Sequence, residues 1–72
     1  MNDENEIPAR VREALLAYRA ANVAAQAGYF ALCDAARRGD GEAVKKIEAG
    51  RDERRRAQDR TRAALDEAVR AW

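Results

Sequence analysis

Every seventh residue from Ala14 is small: Ala14, Ala21, Gly28 and Ala35. A second run does the same at Ala43, Gly50, Ala57, Ala64 and Ala71. A seven-residue repeat keeps one side of an α-helix against a neighbour, so each stripe predicts a helix with a close-packed face. Between them lies RRGDGE, residues 37–42. Gly39 can adopt the left-handed conformation that ends helices, and Asp40 is a good N-cap for the next one. Arg37 and Arg38 complement the negative end of the first helix dipole. The pattern predicts a helix over 6–38, a turn at 39–40 and a helix over 41–71, with Pro8 tolerated in the first turn. Residues 1–5 are expected to be a disordered tail. Each helix would be roughly 46 Å long at 1.5 Å per residue. Two long helices joined by so short a turn form an antiparallel hairpin. Gly50, followed by Asp52 as a second N-cap, offers a place to break; the small-residue stripe crosses it, so the helix is expected to continue.

Folding the chain at Gly39 brings the stripes into mutual register. Ala35 meets Ala43, Gly28 meets Gly50, Ala21 meets Ala57 and Ala14 meets Ala64, the two numbers always summing to 78. Small residues at this spacing let helix backbones approach closely, as in an alanine-lined antiparallel coiled coil. Flanking seams pair Leu32 with Ile47, Ala25 with Arg54, Tyr18 with Thr61 and Val11 with Ala68, and then Tyr29 with Arg51, Asn22 with Gln58 and Leu15 with Leu65. The hairpin is therefore apolar at its ends and polar in its middle. In GRDERRRAQDRTR, residues 50–62, Arg51 and Arg54 fall on the inner arc. The remaining charges point outward, with Asp52–Arg56 and Asp59–Arg62 as expected helix-surface pairs.

The first helix carries a third stripe, Leu16, Val23 and Phe30, again seven apart. Between Glu13 and Ala36 it has only three charged residues, Glu13, Arg19 and Asp34. A helix apolar on several faces is buried on several faces, and one partner helix cannot cover them all. Chain length adds weight. A 72-residue chain buries little by itself, and its one cysteine and absent histidine leave it without disulfide or common zinc staples. The fold class expected is all-α: a helical hairpin forming a homodimeric four-helix bundle, with Leu16, Val23 and Phe30 at the oligomer interface.

Composition removes most chemistry. With no serine and no histidine, Ser–His and Cys–His nucleophile pairs cannot form within the chain. Cys33 lies on a helix face without a suitable base. Asp52, Asp59 and Asp66 read as a solvated face, and GDG is a turn, unlike a phosphate-binding loop. No enzyme activity, metal or cofactor is expected. Residues 1–36 sum to −2 and residues 37–72 to +3, a mild asymmetry. The acidic start, MNDENE, resembles neither a secretory nor a transit peptide. The longest charge-free run, residues 20–33, is too short and polar to span a membrane. Together these point to a cytoplasmic protein, and the Ala/Arg bias suggests a bacterial or phage source.

What remains is recognition. The expected function is a small interaction module, such as an adaptor, chaperone-like factor or inhibitor, acting on a partner protein through arginines, which are enriched at binding hot spots. Two alternatives follow from the polar layer. Arg51, Arg55 and Arg62 share a side with Gln58, and with Tyr29 for stacking they offer a nucleic-acid surface. Arg51 and Arg54 as a clamp, Tyr18 and Tyr29 as walls, and Asn22 and Gln58 as readers would make a pocket for a small anion. The bland account of the same layer is that it sets helix register, with arginine stems lying over alanines. Residues 34–52, DAARRGDGEAVKKIEAGRD, resemble part of an ankyrin repeat, with its A-A-x-x-G-x-x-x-x-V and later G-x-D. The likeness spans one partial unit, lacks the T-P-L-H element and has Glu48 where the family has leucine, so no ankyrin function is carried over from it.

Overall fold

A computed structural model describes residues 6–72 of the chain, so the tail expected at 1–5 lies outside the described residues. Three helices follow in order: α1 (Ala9–Arg38), α2 (Gly41–Ala49) and α3 (Arg51–Arg70). There is no strand among the described residues. α1 forms one arm of a hairpin, and α2 and α3 together form the other, packed along it.

The first helix begins at Ala9, three residues later than expected. Pro8 stands just outside it with ψ at 144°, and its carbonyl accepts from the Val11 and Arg12 amides, both at 3.0 Å. Proline disfavours helical geometry in the residue before it, so the helix cannot extend back through Ile7. The turn forms as the sequence predicts. Gly39 has φ 72°; its amide bonds the Ala36 carbonyl at 3.1 Å, and the Asp40 amide bonds the Ala35 carbonyl at 2.9 Å. This double closure satisfies carbonyls that the helix end would otherwise leave open. Asp40 then caps α2, its Oδ1 accepting from the Ala43 amide at 3.1 Å.

The expected continuous helix over 41–71 is interrupted at Gly50. The Gly50 amide bonds the carbonyl three residues back, Ile47, at 3.2 Å. Gly50 keeps right-handed geometry, φ −89° and ψ −2°, and its carbonyl accepts from the Arg54 amide at 3.1 Å, starting α3. The interruption is therefore a tightened turn within one arm. Glycine carries the largest helix penalty of any residue except proline, and here that weakness is expressed.

Most seam residues of α1 follow the predicted heptad: Val11 and Ala35 are buried, and Ala14, Tyr18, Ala21, Asn22, Ala25, Gly28 and Leu32 are half-buried, whereas Leu15 and Tyr29 of the flanking seam are exposed. Across from them Ala43, Ile47, Gly50, Ala57, Thr61 and Ala68 are half-buried too. Ala64 departs from the pattern and is exposed, while Leu65 beside it is half-buried. At the open end Arg10 Nη2 donates to the Ala71 carbonyl at 2.8 Å, tying the start of one arm to the end of the other. Among the described residues only Val11 and Ala35 are buried. The radius of gyration, 16.6 Å, is well above the about 11 Å of a compact chain this long.

Candidate functional site

Midway along the hairpin, the side chain of Arg54 runs back toward the N-terminus of its own helix, the direction helical side chains favour. Its Nη2 donates to the Ile47 carbonyl at 2.8 Å, at the interruption. The guanidinium occupies the space left by two glycines on opposite arms. A Cβ on Gly28 would lie 2.6 Å from Arg54 Nε and 2.8 Å from Cζ, and one on Gly50 would lie 2.7 Å from Nη1. The two glycines do occur at one level, as their stripes predict. The gap between them, however, is filled by an arginine head rather than by helix-to-helix backbone contact.

Above this seat opens a cleft of about 450 Å³. Ala25, Tyr29 and Leu32 of α1 form one wall; Arg51, Arg54, Arg55 and Gln58 of α3 form the other, with Asp59 at the edge. Arg51, expected on the inner arc beside Arg54, is exposed. It stands one residue beyond the interruption, at the mouth of the cleft. Of the two arginines assigned inward, only Arg54 is half-buried. Tyr29 is 62% exposed and its ring is tilted 59° to that of Phe30, ring centres 5.9 Å apart. Its phenol pKa is raised above the usual tyrosine value, first by hydrogen bonding to Cys33 one turn on and then by the charge of that thiol when ionised.

The rest of the polar layer assembles in part. Gln58 Nε2 donates to Asn22 Oδ1 at 3.0 Å across the arms, joining two residues that the sequence pairs. Tyr18 is half-buried in the neighbouring seam. Thr61 turns away from the layer: its hydroxyl donates to the Ala57 carbonyl of its own helix at 2.7 Å. Arg55 and Arg62 are exposed, on the same side of α3 as Arg51. The surface ion pairs differ from those expected. Glu53, rather than Asp52 and Asp59, takes the partners, with Arg60 at 3.4 Å and Arg56 at 3.8 Å; Arg38 pairs with Asp34 at 3.1 Å. Among the described residues, Arg51 and Arg55 have no carboxylate or carbonyl acceptor.

A second surface lies on the far side of α1. Leu16, Val23 and Phe30 are 57%, 64% and 62% exposed. They form an unpartnered apolar stripe that neither α2 nor α3 reaches. At the open end, Ile7, Leu15, Val69 and Trp72 line a shallow apolar groove. No helix among the described residues is long and apolar enough to cross a membrane. Comparison with protein-family models, curated proteins and solved structures finds no match to this chain.

Proposed function

We propose that this chain is a non-enzymatic protein-interaction module that works as a homodimeric four-helix bundle, with α1 of each copy at the centre and the charged α3 outside. The observation that supports it is a mismatch: Leu16, Val23 and Phe30 stand more than half exposed while, among the described residues, the hairpin buries only Val11 and Ala35. Ordering a backbone residue costs about 1–2 kcal/mol, and so small a core offers little to offset it. A second copy brings an identical stripe, and a two-fold axis lets the same patch serve both sides. Burying three large apolar side chains per copy would stabilise by about 1.5–3 kcal/mol each.

In this reading the outer face of α3 is left for a partner protein, as in an adaptor, chaperone-like factor or inhibitor. A nucleic-acid partner is less well supported. Asp52, Glu53 and Asp59 interrupt the arginine run, and phosphate binding depends on net local charge. The test is thermal unfolding followed by circular dichroism over a range of protein concentrations. A homodimer melts at a higher temperature as concentration rises; a midpoint independent of concentration would contradict the assembly.

A further inference from the structure

We propose that the cleft between Tyr29 and the Arg51–Arg55 pair is a docking site for an acidic segment of a partner protein. The first argument is charge. Arg51 and Arg55 lie one helical turn apart on the cleft wall and have no acceptor among the described residues. Their neighbours are occupied: Arg54 by the Ile47 carbonyl, Arg56 and Arg60 by Glu53. Asp59 reduces the positive charge of the cleft without cancelling it, since it stands against three arginines. Guanidinium groups match carboxylates well because their N–H donors form a planar fork.

The second argument is shape. The opposite wall is Ala25, Tyr29 and Leu32, an apolar and aromatic surface. A ligand with carboxylates along one side and an aliphatic side chain between them satisfies both walls. Helical glutamates one turn apart, or glutamates two residues apart in an extended chain, match the spacing of Arg51 and Arg55. A nucleic-acid backbone fits less well, because the cleft is short and Asp52, Glu53 and Asp59 break the track that successive phosphates need. Arg54 gives the site a rigid floor: its head is held by Ile47 and seated between glycines, so the two free arginines project from a fixed base.

The inference rests on the reading of the chain as a protein-binding module. The probe is a fluorescein-labelled peptide of glutamate and leucine, with a glutamine-for-glutamate version as its neutral counterpart, followed by fluorescence anisotropy against the full chain. The acidic peptide should bind, the neutral one should not, and Arg51→Gln/Arg55→Gln should weaken binding by about tenfold or more. Arg37→Gln, an exposed arginine elsewhere, should leave it unchanged. Circular dichroism of the double variant should be native, since both side chains are exposed. Three results would overturn the site: no binding of the acidic peptide, equal loss with Arg37→Gln, or a duplex DNA oligonucleotide that binds more tightly than the peptide with a steep salt dependence. A protein that dimerises through α1 yet ignores the peptide would sink the cleft and leave the assembly standing.

Discussion

Arg54 and Ile47 are joined across the interruption of the second arm, the guanidinium donating to the backbone carbonyl at 2.8 Å. The Ile47 carbonyl already accepts from the Gly50 amide at 3.2 Å, and a side chain seven residues on supplies its second lone pair with a charged donor. The bond involves a charged donor in a half-buried place, the class worth about 1.5–3 kcal/mol. Arg54→Leu is therefore expected to lower stability by about 1–2 kcal/mol in urea unfolding, because leucine can fill the glycine gap but cannot reach the carbonyl. An increase in stability on Arg54→Leu would show that the carbonyl bond contributes nothing net.

The seat of Arg54 makes Gly28 and Arg54 energetically coupled. Alanine in place of a helical glycine normally gains about 1 kcal/mol. At position 28 the new methyl would meet Arg54 Nε at 2.6 Å and displace the head. Gly28→Ala should be neutral or destabilising alone, yet stabilising when Arg54 is already alanine. A double-mutant cycle in urea measures this. Additive effects would mean that the guanidinium does not occupy the gap.

The Asn22–Gln58 bond, 3.0 Å, fixes which residues face each other. Gln58→Leu alone should cost about 1 kcal/mol by leaving the half-buried Asn22 amide unpartnered, whereas Asn22→Leu with Gln58→Leu should recover that loss by apolar contact. If the single and double variants are equally unstable, the two side chains do not pair in solution.

Much of this was legible in the sequence, and the reason is spacing. The stripes from Ala14 to Ala35 and from Ala43 to Ala57, folded about Gly39, place Asn22 opposite Gln58 and both glycines at one level, because heptad position decides facing in an antiparallel pair. Gly39 and Asp40 announce their roles because each backbone geometry there favours one kind of residue. Arg54 was legible as inward but its partner was not: a search among side chains for an acceptor passes over a backbone carbonyl, which every residue has. Arg51 was misplaced for a different reason. Its seam runs along the rim of the helix contact, where its expected partner Tyr29 is exposed as well, and heptad position alone does not set how far the contact reaches around the helix. The choice of Glu53 over Asp52 and Asp59 as ion-pair partner depends on side-chain reach and rotamer, which charge spacing does not encode. The acidic ligand proposed for the cleft depends on which arginines are paired and which are free, and side-chain geometry rather than residue spacing decides that.

Tyr29 and Cys33 supply a pH-dependent readout at the cleft. The phenol stays protonated to higher pH than an ordinary tyrosine because the cysteine side chain favours its neutral form. Cys33→Ala should move that titration down toward the normal tyrosine value, seen as earlier tyrosinate absorbance on raising pH. An unchanged titration curve would separate the two side chains.

The central claim is that the exposed stripe of α1 is covered by a second copy of the chain. Multi-angle light scattering on the eluting protein at micromolar concentration tests it most directly. The account predicts a mass of twice the 8.0 kDa chain, reduced to a single chain with loss of helicity in Val23→Glu, which places a charge at the middle of the stripe. A well-folded species of single-chain mass at that concentration, with Val23→Glu as helical as the unaltered protein, would contradict it.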